Sequence, residues 1–255
     1  MYDVDIVKDV SYSGHKECMI DFYIPKTEHK CPVLIYFHGG GLNSGNRQDE
    51  GILLRLATEY GIAVAAADYR MYPDAKFPDF IEDSADAVKF VRDYNQKQNL
   101  FGEYYIGGIS AGGYLTMMLF FDRSYLSRRG IAVEDIAGYI FDTGQPTAHF
   151  NVLAERGLDS RLIRIDDAAP IYYIDRDYEY KDSQPKILIL YSDNDIVNRL
   201  EQNRLLYRTM FDFNYNMEKI QMKCLEGYCH GEYYGAQYED GTYLLPKLYS
   251  DFIFK

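Results

Sequence analysis

YYIGGISAGGYLTMMLFFD, residues 104–122, decides the fold. Its first part, up to Ser110, is apolar and rich in Tyr and Ile, which reads as a strand. Its second part, from Ala111, reads as a helix. The pentapeptide Gly108-Ile109-Ser110-Ala111-Gly112 therefore sits on a strand–turn–helix junction. A serine there is held in a sharp turn, with its hydroxyl lifted above the sheet and beside a helix N-terminus that favours negative charge. The flanking glycines let the chain pass closely. The same residues would also serve as a plain glycine-rich turn, so the surrounding sequence has to supply the chemistry.

Working outward, short apolar runs alternate with helical patterns. The runs are 18–24, 33–38, 62–69, 104–109, 136–142 and 186–192, and several are apolar nearly throughout. Such runs suit strands buried on both faces of a parallel sheet. Helical patterns lie at 80–94, 201–211 and 244–254, the last beginning near a proline. The alternation predicts an α/β, mostly parallel, doubly wound sheet with helices on both faces. The first two segments, DVDIVKDV and CMIDFYIP, leave no room for a crossover helix and are expected to form an antiparallel edge. One domain over 1–255 is expected, with an insertion at about 145–185. That insertion either forms a small lid over the carboxyl ends of the strands or is an ordinary long connection.

The chain has 255 residues, with 27 Lys plus Arg against 39 Asp plus Glu, a net charge of −12. An acidic surface repels phosphate backbones and anionic membranes, so neither is an expected partner. No apolar stretch reaches the ~18 residues of a membrane span, and no basic segment precedes an apolar leader core. A soluble, cytoplasmic protein is expected, unless an N-terminal signal has been removed. The four cysteines, Cys18, Cys31, Cys224 and Cys229, form no CxxC pair and read as free thiols. Cys229 beside His230 has no further ligands at metal spacing, so no metal is expected. Composition leaves the oligomeric state open.

His38-Gly39-Gly40-Gly41 follows the apolar run VLIYF. Glycines after a buried strand let bare backbone N–H groups face a ligand, and each donor aimed at an oxyanion is worth ~3–4 kcal/mol in a transition state. His38 itself reads as structural.

Together, HGGGLNSG (38–45), DYRMYPDAKFPDFIEDSADAVKFV (68–91) and GISAGG (108–113) resemble the α/β-hydrolase esterases related to hormone-sensitive lipase and bacterial acetyl esterases. In the middle stretch Tyr69, Arg70, Pro73, Phe77, Pro78 and Asp83 match the family pattern, and the resemblance runs from about residue 18 to the C-terminus. It implies a Ser–Asp–His triad with Ser110 as nucleophile. It also implies oxyanion donors at Gly39, Gly40 and Ala111, and no cofactor. The acid should follow KILILYS. In DNDIV, Asp195 precedes the apolar pair as the family's acid does, and Asp193 is expected to cap or solvate the loop. The base should follow the last strand, which leaves His230. His149 precedes the acid and is expected in a pocket or on the surface. His15 and His29 are expected to face solvent.

The expected reaction is hydrolysis of short acyl, chiefly acetyl, esters of small molecules. Few residues precede the first matched strand, so the helical cap of many lipase-like relatives is not expected and the site should be open. The 26 tyrosines, several near the insertion and His230, either stack on acetylated sugars or are a habit of composition. Two other readings stay open: an amide-directed hydrolase such as an arylformamidase or small peptidase, and a non-catalytic binding protein on the same fold.

Overall fold

A computed structural model of the chain describes residues 1–48, 50–174 and 183–255. Its strands are β1 Val4–Ser11, β2 Met19–Pro25, β3 Cys31–Phe37, β4 Ala63–Ala67, β5 Phe101–Ile109, β6 Gly138–Asp142, β7 Lys186–Asn194 and β8 Ile220–Cys229. The helices are α1 Glu50–Tyr60, α2 Asp79–Gln98, α3 Ala111–Phe121, α4 Ser124–Ser127, α5 Phe150–Glu155, α6 Arg199–Asp212 and α7 Leu244–Phe254.

All eight strands join one sheet in the order β1-β2-β4-β3-β5-β6-β7-β8. β1 pairs antiparallel with β2, and β2 with β4, so the expected antiparallel edge is present. From β4 to β8 every neighbour is parallel. The chain winds outward from β3 in one direction to β4 and in the other to β5. That reversal leaves a crevice beyond the carboxyl ends of β3 and β5, the usual ligand position in an open α/β sheet.

Alternation along the strands divides the core between two faces. Val33, Ile35 and Phe37 of β3 pack with α2, α3 and α6, whereas Leu34 and Tyr36 pack with α1 and α7. α3 is buried along its whole length, so its apolar residues show no one-sided pattern. Helix α1 is an addition to the sequence expectations. Its apolar residues Ile52, Leu53, Leu56 and Ala57 recur at helical spacing and are buried against the sheet.

The segment from 145 holds α5 and a 3₁₀ turn at Pro170–Tyr173. The tyrosine-rich stretch expected to complete the insertion falls partly at 175–182, outside the described residues. Among the described residues no helix is long and apolar enough to cross a membrane.

Candidate active site

Ser110 follows β5 directly and has φ 56° and ψ −111°, a combination that an L-residue holds only when its surroundings enforce it. Two hydrogen bonds do so: its N–H donates to Asp142 O at 2.8 Å, and its carbonyl accepts from Tyr114 N–H at 2.9 Å. The close passage is enforced by glycine. A Cβ on Gly112 would stand 1.9 Å from Phe37 O, so only a bare α-carbon lets α3 start against the end of β3.

The loop after β3 faces this turn. Gly40 has φ +108°, and a Cβ there would meet Ser44 O at 2.0 Å. Among the described residues nothing accepts from the N–H groups of Gly39, Gly40 or Ala111. The Ala111 N–H is one of the orphan donors that every helix start leaves. The loop is pinned from behind. Arg47 N–H donates to Asp68 Oδ1 at 2.6 Å, and its guanidinium bonds Asp21 Oδ1 at 2.8 Å and also Asp68 and Asp9. His38 is buried, stacks on Tyr69 at 4.5 Å, and its carbonyl accepts from Tyr69 O–H at 2.9 Å. Burial holds its imidazole pKa down, which suits a neutral structural ring. Arg70 forms a two-pronged pair with buried Asp83, at 2.8 and 2.7 Å. The matched middle stretch thus acts as bracing behind the loop.

The other two expected side chains converge on Ser110 from different strands. Asp195 lies just past β7 and His230 just past β8. His230 Nε2 stands 2.8 Å from Ser110 Oγ, and His230 Nδ1 stands 2.5 Å from Asp195 Oδ1. A carboxylate only accepts, so Nδ1 carries the proton and Nε2 is free to accept from the serine hydroxyl. The Asp195 side chain is fully buried and also accepts from Ile196 N–H at 2.7 Å and Ser192 O–H at 3.2 Å. Asp193 points elsewhere: it is exposed and accepts from Gly227 N–H at 2.7 Å. Ser110 and His230 open into a cavity of about 530 Å³, with Gly39, Gly40, Phe150 and Ile196 among its lining.

His149 departs from expectation. It is fully buried and off the surface, and its Nδ1 accepts from Asn151 N–H at 3.2 Å to cap α5. Burial holds its pKa well below the usual value. His15 and His29 are exposed as expected. All four cysteines are free thiols.

Several neighbours escaped the sequence reading. Asp142, at the end of β6, is fully buried and accepts from Tyr249 O–H at 2.8 Å and from Tyr233 O–H. Burial pushes its pKa up to about 7, against the pull of those two hydroxyls. Asn151 donates to Gly41 O and ties α5 to the glycine loop. Arg199 is buried at the start of α6. A polar residue within an apolar run, as in YIFD, was the one available signal for Asp142, and Arg199 had none.

The sheet order, the turn at Ser110 and the crevice at the strand ends define an α/β-hydrolase fold. Comparison with known proteins points to esterases of that fold. The protein family described as BD-FAE matches residues 20–127. The 3-O-acetylpapaveroxine carboxylesterase of Papaver somniferum is 29% identical over 127 residues, 42% of this chain and 41% of the relative. The matched stretches span less than half the length of the curated relatives. Among solved structures, a truncated carbohydrate esterase from gut microbiota superposes with TM-score 0.71 at 20% identity, covering 98% of this chain and 95% of that one. A bacterial heroin esterase gives TM-score 0.67 at 18% identity, covering 91% and 77%. At these identities the structural likeness establishes the fold.

Proposed function

We propose that the chain is a serine carboxylesterase acting on short acyl esters, chiefly acetyl esters, through Ser110, His230 and Asp195. The observation that carries this reading is the hydrogen-bonded line from Asp195 through His230 to Ser110, opening on a cavity beside free backbone N–H groups. His230 Nε2 takes the proton of Ser110 as Oγ attacks the ester carbonyl carbon. Asp195 holds the imidazole tautomer and stabilises the imidazolium. The N–H groups of Gly39, Gly40 and Ala111 receive the oxyanion. The bond from the carbonyl carbon to the alcohol oxygen breaks, and His230 returns the proton to the leaving alcohol. Water, deprotonated by His230, then attacks the acyl-enzyme and frees the acid and Ser110. Every step uses groups of the chain and water, with no cofactor.

An acetylated sugar fits the alcohol side. Tyr36 and Tyr234, with Ser44, Asn46 and Gln48, line a further recess of about 450 Å³ beside Gly39 and Gly40. Rings with polar neighbours suit sugar faces and hydroxyls. The gut-microbiota protein with the same fold is itself a carbohydrate esterase. In this reading the chain is one domain, and the described part of the insertion, 145–174, contributes Phe150 to the cavity wall. Four free thiols suit a reducing, cytoplasmic setting.

Hydrolysis of 4-nitrophenyl acetate, butyrate and octanoate by wild type and Ser110→Ala tests the proposal. Acetate should turn over fastest, with rates falling as the chain lengthens, and the variant should lose about three decades or more. Equal, slow rates in both proteins would remove the esterase reading and leave Ser110 a turn residue.

A further inference from the structure

A second cavity, of about 420 Å³, adjoins the one that holds Ser110 and His230 and shares Phe150 and Ile196 with it. Leu162 and Val197 add apolar wall, Gln145, Ser160, Asn198, Arg199 and Gln202 supply polar lining, and Arg161 at the rim is exposed and already paired with Asp159 at 2.5 Å. Arg199 is only 2% exposed. Its guanidinium donates to Thr143 O and, at 3.1 Å, to Gln145 Oε1, both neutral acceptors. Among the described residues no carboxylate lies within ion-pairing distance of it. The Asp195 carboxylate acts on it from farther away but is already engaged by His230, Ser192 and Ile196. Burial lowers the guanidinium pKa to about 10, so the group is still a cation at neutral pH.

A buried cation served only by neutral acceptors is costly, and proteins normally supply a counter-charge. Here Arg199 lines a cavity beside the nucleophile. The same cavity receives the N-terminus of α6, where Asn198 provides no side-chain cap, so the helix end adds positive potential. The acidic surface of the molecule makes this cationic lining a local exception.

We propose that this second cavity is a carboxylate subsite: it binds an anionic group carried on the acid or the alcohol part of the ester, with Arg199 as the residue that reads the charge. The proposal rests on the esterase reading and adds to its substrates esters bearing a carboxylate across an apolar spacer. Phe150 and Ile196 flank the spacer, and the guanidinium pairs with the carboxylate.

Two matched pairs of esters test it. Mono-4-nitrophenyl glutarate against 4-nitrophenyl pentanoate places the charge on the acid. 4-Acetoxybenzoate against its methyl ester places it on the alcohol. Wild type should favour the anionic member of one pair by about tenfold or more in kcat/KM, and that pair identifies the side. Arg199→Met should collapse the ratio. Gln202→Glu, which sets a carboxylate beside Arg199, should collapse it too, and decides the matter if Arg199→Met fails to fold. Ratios unchanged in the folded variants, or no anionic preference in wild type, would overturn the subsite. Calorimetric titration of Ser110→Ala with glutarate separates the two proposals. Binding that the further change Gln202→Glu abolishes supports the subsite even where neutral esters are not hydrolysed. Absence of binding counts against the subsite whatever the esterase result.

Discussion

Asp193 and Asp195 are two residues apart and chemically alike, yet only one meets His230. The difference is orientation at the end of β7. Asp195 turns inward, where its side chain is fully buried under His230, and Asp193 turns out to hold Gly227 N–H. Replacing Asp195 by Asn leaves a group that can present an N–H to the imidazole and so favour the wrong tautomer. Asp195→Asn should therefore lower kcat for 4-nitrophenyl acetate by about three to four decades, whereas Asp193→Asn should stay within about threefold. Comparable losses in the two variants would sink the assignment of Asp195. The choice of Asp195 came from the family resemblance, in which the acid precedes such an apolar pair. The burial of His149 was not legible in sequence, because no local pattern says whether a histidine in a connection faces inward.

At the scale of elements, the nucleophile turn and the glycine loop meet because their strands, β5 and β3, are neighbours. Their approach depends on absent side chains. With Phe37 O in the way, Gly112→Ala forces the N-terminus of α3 off the end of β3. The expected cost is about 3 kcal/mol or more, with loss of esterase activity, and chemical denaturation with a matched rate assay checks both. Gly130, on a surface turn with nothing within 4 Å of an added Cβ, is a useful contrast. Its φ of +70° gives Gly130→Ala only a backbone penalty, on the order of 1 kcal/mol. Equal costs at the two sites would refute the close-approach argument. The glycine motifs were readable in sequence because turns of this kind tolerate few alternatives. Helix α1 was legible too, since Ile52, Leu53, Leu56 and Ala57 recur at helical spacing, yet it is absent from the sequence expectations.

At the scale of the whole molecule, Asp142 ties distant parts together. Its backbone carbonyl holds Ser110 N–H, and its carboxyl takes the hydroxyls of Tyr233, three residues past His230, and Tyr249 of α7. Its pKa of about 7 in the fold lies above its ordinary value of 3.8, so the fold prefers the neutral acid. That stabilising contribution is fully present below about pH 4. It declines as pH rises and is lost once pH passes about 7, a swing on the order of a few kcal/mol. Asp142→Asn cannot ionise, so the fall in Tm between pH 5 and pH 8 should be smaller in the variant than in wild type. Equal falls would show that Asp142 does not titrate in this range.

Alternating apolar runs and two glycine-rich turns were enough to specify a doubly wound sheet, because each is a local pattern of spacing, and the family resemblance carried by those motifs nominated Ser110, Asp195 and His230. Only the tertiary structure brought Asp142, Tyr233 and Tyr249 into one buried network, turned His149 inward and set Arg199 against a cavity beside the nucleophile. Those arrangements depend on burial and on contacts between residues 50 to more than 100 positions apart, and desolvation of a charge is a property of its surroundings that no stretch of sequence carries by itself.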